Sequence, residues 1–446
     1  MKKLLLLLAL GSALLFAGCE KDKENGGDDE ITEPLTVEQN KELMQQIGVD
    51  FVNEMAAMQQ EPGVKALTSF GLHANQYEDD EGGRINQSSV ITMAKSILGF
   101  TYQKASAVEF GYAAARIAQD DEDDFTSLQE LFDENTGTYT WNFDTEEYDF
   151  EDNSTDEVIF EFPSEVNGTT NDATLTLSNY SSVTIGNPLD EDYDGDLPTS
   201  LDVSLEVDGS SSMTYGFEID YNSEGVPESI DTEMTLGSFS LTVGLTNTTS
   251  KVGASVSFNN GSKTLIASST EINGDFSDSA IDAADESEDP TEVVTDGTFS
   301  FTLMDLKFDA EIDFASLWNE IGDLDTYHDS YDEDPRPDLE GNATAIEDAL
   351  NEHGVLKATY ISTGKSAADV EFYTFIDDYQ DGDYSEEYIE LGARMVFEDE
   401  SKVDVEDFLE SGFDGLESAI NDLVDQINDD LDEDDWIDYI DFSDLG

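Results

Sequence analysis

Thiols are almost absent from this chain: Cys19 is the single cysteine in 446 residues. No intramolecular disulfide can form, and no cysteine-ligated metal site or C-x-x-C redox pair is available. Positive charge is nearly as scarce, with 18 Lys and Arg against 105 Asp and Glu and a formal charge of −87. Such a surface repels phosphate, which argues against nucleic acid as a partner and against direct docking on an anionic bilayer. Histidine is limited to His73, His328 and His353, none at metal spacing from another and none in an H-E-x-x-H motif. No G-x-S-x-G elbow occurs, so neither serine nor thiol nucleophiles have a recognisable setting. The long apolar run, Leu4 to Phe16, falls short of the roughly 20 residues a spanning helix needs.

What is present argues for a folded body. At 38% hydrophobic and 10% aromatic residues, with clearly periodic segments, the chain has material for a core that an acidic disordered chain lacks. The excess of acids makes the folded state repel itself in dilute buffer. Screening shortens from about 10 Å at 0.1 M salt to about 3 Å at 1 M, which relieves that cost. A halophilic protein, working in a saline environment, is the expectation.

The N-terminus supplies an address. Met1-Lys2-Lys3 precede the apolar run and Ala17-Gly18-Cys19 follow it, the order of a secretory signal. That ending resembles the lipobox of bacterial lipoproteins, with Phe16 where Leu is usual. The resemblance implies a signal peptide over 1–18, cleavage before Cys19, and lipidation of Cys19, so that a membrane is the first partner. Loss of Lys2 and Lys3 would take the charge from −87 to about −89. Residues 19–33, with charged positions from Glu20 to Glu24 and then Gly26-Gly27, read as an acidic flexible tether. This stretch resembles the surface-export signal of Bacteroidota lipoproteins, implying a lipid anchor in the outer membrane at the cell surface. The periplasmic face is the alternative.

Periodicity then divides the chain. Residues 34–135 read as a helical region packing on a sheet. Thr36-x-x-Gln39 is a capping box, followed by Leu43, Ile47, Phe51, Met55 and Met58 at helical steps as far as Pro62-Gly63. A second helical stretch, Ser88 to Ala118, carries Lys95, Lys104 and Arg116 against the lone acid Glu109. From 136 to 277 the period becomes two. Leu201, Val203, Leu205 and Val207 turn through Asp208-Gly209-Ser210 into Met213, Tyr215, Phe217, Ile219 and Tyr221, and Val252 to Phe258 turn near Gly261 into Lys263, Leu265 and Ala267. An acidic linker or insert spans 278–297, where two lobes would divide. Residues 298–446 read as strands with a C-terminal helix (Leu416, Ile420, Leu423, Ile427, Leu431) and an acidic tail. Phe299, Phe301 and Leu303 occupy one phase and Leu306 to Phe314 the other, which predicts a bulge near Met304. A second acidic insert spans Asp323 to Asp338, and Asp377 to Asp383 forms a loop between strands near 355–363 and 387–398.

The fold class expected is α+β: a large, curved antiparallel sheet, a meander of hairpins, covered by N-terminal and C-terminal helices. The stretch from Tyr139 to Ile272 looks like the β-rich outer-membrane and surface lipoproteins of the Bacteroidota, a resemblance that brings no activity with it. The sheet-plus-helix plan is also similar to periplasmic lipid-carrier lipoproteins, at fold level alone.

Few motifs carry chemistry. Asp190, Asp192, Asp194 and Asp196 have the spacing of a Ca2+ loop with Gly195 at the turn, and resemble the first half of an EF-hand or thrombospondin-type repeat. Pro198 and Leu201 stand where later ligands belong, and a solvated acidic turn competes as explanation. Asp377, Asp381 and Asp383 are a weaker version. Ser362-Thr363-Gly364-Lys365-Ser366 mimics a phosphate loop without its first glycine and reads as a hairpin turn. Tyr139, Trp141, Phe143 and Trp318 read as core. Three functions stay open: a structural or interaction protein at the cell surface, a carrier holding a lipid or other apolar ligand in a groove near Lys95, Lys104 and Arg116, and a carboxylate-only hydrolase. The first is preferred, with no catalytic residues and no cofactor beyond the calcium candidate.

Overall fold

The computed structural model describes residues 35–75, 128–186, 195–287, 289–329, 337–381 and 384–409, with positions 416, 418, 419 and 421. The capping box forms as expected. Gln39 N–H donates to Thr36 Oγ1 (3.3 Å) and Thr36 N–H to Gln39 Oε1 (3.0 Å), opening helix α1, Val37–Met58. Its buried stripe runs through Asn40, Ile47, Gly48 and Val52, and not through Leu43, which is 38% exposed. Gly48 marks the close side, since a β-carbon there would lie 2.8 Å from Leu416 Cδ2. Helix α1 stops shortly before Pro62, as expected, but Pro62 opens a further helix. It stands first in helix α2, Pro62–Asn75, where its missing N–H costs no hydrogen bond.

The chain forms two compact units, one of residues 57–248 and 252–263, the other of residues to Ala56, 249–251 and 264 onward. The boundary therefore falls near Ala56 and between 248 and 264, not in the acidic segment 278–297.

The first unit continues from α2 with α3 (Leu128–Glu134), β1 (Gly137–Asn142), β2 (Glu147–Glu151), β3 (Val158–Phe162), β4 (Ala173–Ile185), β5 (Gly195–Val207), β6 (Ser210–Tyr221), β7 (Pro227–Leu236), β8 (Phe239–Thr248) and β9 (Lys251–Asn260). Strand β1 lies between β2, antiparallel, and β3, parallel. From β3 to β8 each strand pairs antiparallel with the next, the meander that the alternation predicts. Asp208 and Gly209 both take positive φ, 51° and 70°, as a two-residue hairpin turn requires. Leu201, Val203 and Leu205 face inward beside Met213, Tyr215, Phe217 and Ile219, all in one buried cluster. Helix α2 covers it: Phe70 meets Phe160 at 5.3 Å and Phe162 at 5.1 Å between ring centroids. Tyr139 and Trp141 belong to the same core, as expected, whereas Phe143 is exposed.

The second unit holds α4 (Asp278–Ser287), a 3-10 turn (Pro290–Glu292), β10 (Lys263–Gly274), β11 (Val294–Leu303), β12 (Leu306–Ile312), α5 (Phe314–Ile321), β13 (Tyr327–Asp329), α6 (Leu339–His353), β14 (Gly354–Tyr360), β15 (Lys365–Asp381), β16 (Tyr384–Val396), β17 (Lys402–Asp404) and α7 (Val405–Leu409). Pairing runs β10-β11-β12-β14-β15-β16, and both β13 and β17 lie on the far side of β16. The phase slip near Met304 is not a bulge. Leu303 pairs with Leu306 and Met304 takes φ 54°, so the chain reverses there in a tight turn. Phe314 is no strand residue either, because Asp313 accepts Ser316 N–H at 3.0 Å and caps α5. Asp338 caps α6 in the same way through Gly341 N–H at 3.1 Å, inside what reads as an acidic insert. Tyr360 pairs with Lys365 and Gly364 has φ 65°, confirming the hairpin turn in place of a phosphate loop.

Ala368, Met395, Phe397 and Phe408 form a small core against which Val37 and Met44 of α1 pack. Tyr360 O–H donates to Asn40 Oδ1 at 2.9 Å in the buried wall beside it. Helix α1 and the short α7 thus pack at one end of this sheet, while the expected C-terminal helix from Leu416 to Leu431 lies mostly outside the described residues. No helix among the described residues is long and apolar enough to cross a membrane.

Candidate functional site

Cys19, Lys95, Lys104, Arg116, Asp190, Asp192 and Asp194 lie outside the described residues, as do the helical stretch 88–118 and most of the C-terminal helix. Asp196 lies in β5 opposite Thr184, with Gly195 opposite Ile185. Pro198 and Leu201 lie further along the same strand, and Leu201 is 2% exposed in the core opposite Phe217. The positions a calcium loop would need next are therefore sheet, which explains physically why the ligand pattern stops. Among the described residues no group of three or more His, Cys, Asp or Glu is placed to hold a metal ion.

Two of the histidines have evident structural roles. His73 Nδ1–H donates to the Ser69 carbonyl at 2.6 Å, and its ring stands edge-on to Trp141 at 4.6 Å. Because that nitrogen carries the proton, it cannot take one from Ser69, whose hydroxyl donates to Pro163 O at 2.7 Å. His353 Nε2 lies 3.1 Å from Glu320 at the surface.

An open groove of about 550 Å³ crosses β4 to β7. Ile185, Ile219 and Tyr221 line it together with Glu218, Asp220 and Asp231. Ser229 O–H bonds Asp220 Oδ2 (3.2 Å) and Tyr221 O–H bonds Pro198 O (2.9 Å), so these groups of the lining link neighbouring strands.

The more informative surface is on β13, β15 and β16. Tyr373, Phe375, Asp377 and Tyr379 alternate onto one face of β15, opposite Gly392, Glu390, Tyr388 and Glu386 of β16. Tyr327 of β13 stands opposite Tyr388. Phe375, Tyr379 and Tyr327 are 47%, 51% and 45% exposed. A β-carbon on Gly392 would collide with the Tyr373 ring, so the glycine lets that ring lie across the neighbouring strand. Tyr373 and Phe375 follow with centroids 6.2 Å apart and planes only 31° apart. The Arg394 guanidinium sits 5.3 Å from the Tyr373 centroid and 2.5 Å from Glu371 Oε1, and Lys402 bonds the other oxygen of Glu371. Tyr388 O–H donates to Asp377 Oδ2 (2.9 Å) and Tyr327 O–H to Glu386 Oε2 (3.1 Å). The bond to Asp377, then desolvation, then the charges of Asp377, Glu390 and Glu386 push the Tyr388 phenol pKa up. Rings and carboxylates thus interleave across three strands. Sequence reasoning missed this face because it placed Asp377 in a loop; the Tyr373-x-Phe375-x-Asp377-x-Tyr379 alternation was the available signal.

No family model matches the chain, and no curated protein or solved structure matches it.

Proposed function

We propose that this protein is a lipoprotein held by an acylated Cys19 in the outer membrane, acting at the cell surface through interaction rather than catalysis in a saline environment. The observation that carries the interaction role is the interleaved face of β13, β15 and β16. Large rings left in water gain nothing for folding, and an exposed patch of them marks a contact surface. The lipobox-like Ala17-Gly18-Cys19 supports the anchor, and the charge of −87 supports the saline setting. No resident cofactor is part of this reading, and saturable heat on calcium titration at high salt would overturn that element.

The anchor is tested in cells. Wild-type chain should fractionate with membranes and the Cys19→Ser variant should become soluble; equal partition of both would remove the anchor from the proposal. Protease added to intact cells should degrade the wild-type chain, whereas protection would place it on the periplasmic face. In vitro, cooperative unfolding should be retained near 1 M salt and weakened in dilute buffer. The reverse order would sink the saline reading.

A further inference from the structure

We propose that the face formed by β13, β15 and β16 binds the Lys and Arg side chains of an extended basic segment of a partner protein. This rests on the interaction role proposed above and names the chemistry of the partner.

An aromatic ring presents a negative face, and a cation within about 6 Å of its centroid is attracted to it. The face already contains one such contact, Arg394 over Tyr373 at 5.3 Å. The neighbouring rings of Phe375 and Tyr379 are open to solvent on the same side of β15. Each has a carboxylate directly across the ladder, Glu390 beside Phe375 and Glu386 beside Tyr379. Asp377 lies between the two rings along the strand, bonded to Tyr388 O–H, and Glu386 is bonded to Tyr327 O–H. The phenols therefore hold the acids next to the rings, where a guanidinium or ammonium group resting on a ring reaches an acceptor. An anionic partner meets repulsion here.

Spacing points to an extended chain rather than a small amine. Alternate residues of a strand repeat about every 6.6 Å, so rings and acids recur along β15 at the interval of alternate side chains in an extended peptide. Salt explains why rings are needed at all. At 1 M the screening length is about 3 Å, so the overall charge of −87 no longer draws cations from a distance, while contact with a ring persists.

The test uses the full chain and a fluorescein-labelled peptide alternating six Arg with Ser, followed by anisotropy near 1 M NaCl. The variant carries Phe375→Ser and Tyr379→Ser together, which leaves the net charge unchanged. Wild type should bind saturably, and the double variant should bind roughly tenfold more weakly, the effect of losing two cation–ring contacts. Equal binding by both would reduce the effect to bulk charge and overturn the site. So would no binding by wild type, or loss in the variant of a neutral β-glucan oligosaccharide that wild type prefers to the peptide. If circular dichroism shows the double variant misfolded, Tyr379→Ser alone must still weaken binding about threefold. Purified protein needs no lipid here, so failure of the anchor test and failure of this one are separate results.

Discussion

The sheet of β1–β8 turns Tyr139, Phe160 and Phe162 into its core, where Phe160 and Phe162 meet Phe70 of α2. The sheet of β13–β16 turns Tyr327, Phe375 and Tyr379 outward and sets acids beside them. Apart from the parallel β1–β3 pair, both are antiparallel, and both are written in period two. The difference lies in which phase carries the rings and whether a helix covers that phase. In the first unit these rings stabilise the fold by leaving water; in the second, Phe397 and Phe408 do the same in a small core, while Tyr327, Phe375 and Tyr379 stay on a surface. Val37 and Met44 of α1 pack on the small core around Phe408, and α6 bonds β15 through Thr374 O–H to Ala343 O at 2.9 Å.

The sharpest way to break the comparison is to remove a ring from each side. Phe160 is fully buried and packs on Phe70, Tyr139 and Tyr148, so Phe160→Ala should cost about 3–5 kcal/mol. Phe375→Ser should stay within about 0.5 kcal/mol of wild type. Denaturant melts in high salt read both, and similar losses would mean that the outward rings are structural after all.

A smaller effect is expected in the second unit at Tyr360. Its hydroxyl donates to Asn40 Oδ1 in a buried setting, and burial pushes its pKa up. Tyr360→Phe leaves that oxygen without its donor and should cost about 1–3 kcal/mol. A neutral result in the same melts would show that α1 contributes little to holding this unit.

The smallest effect concerns the charge pair at the edge of the aromatic face. Hydrogen bonds from Arg394 first, then Lys402, hold the Glu371 carboxyl below the usual carboxylate range. A depressed folded-state pKa gives stability that is complete above the unfolded value, about 4.3, and is lost as pH falls through the folded one. The pair is partly exposed, so the contribution is at most about 1 kcal/mol. Glu371→Gln should therefore flatten the acid limb of stability between about pH 5 and 3 relative to wild type. An unchanged limb would show that solvent already screens this pair.

Much of the architecture was legible before any coordinates. The capping box at Thr36 and Gln39, the hairpin through Asp208-Gly209 and the turn at Gly364 each rest on a local rule that neighbours do not override. What was misread depended on distant partners. Met304-Asp305 looked like a bulge because a tight reversal and a one-residue slip leave the same change of phase in a sequence. Helices α5 and α6 were missed because Asp313 and Asp338 are caps in a chain where acids are everywhere, so the cap carried no contrast. Asp377 was placed in a loop because three acids near a glycine read as a turn, whereas β15 continues through it opposite Tyr388.

By itself, then, the sequence determined the antiparallel α+β character and the acidic balance of the chain, since each follows from composition or period. Only the tertiary structure decided where the units divide, which rings are core and which face water, and that Tyr327, distant in the chain, joins Phe375, Tyr379 and Tyr388 on one face. Those are choices of strand pairing. Pairing is set by the sum of burial over a whole sheet, and no short window of residues contains that sum.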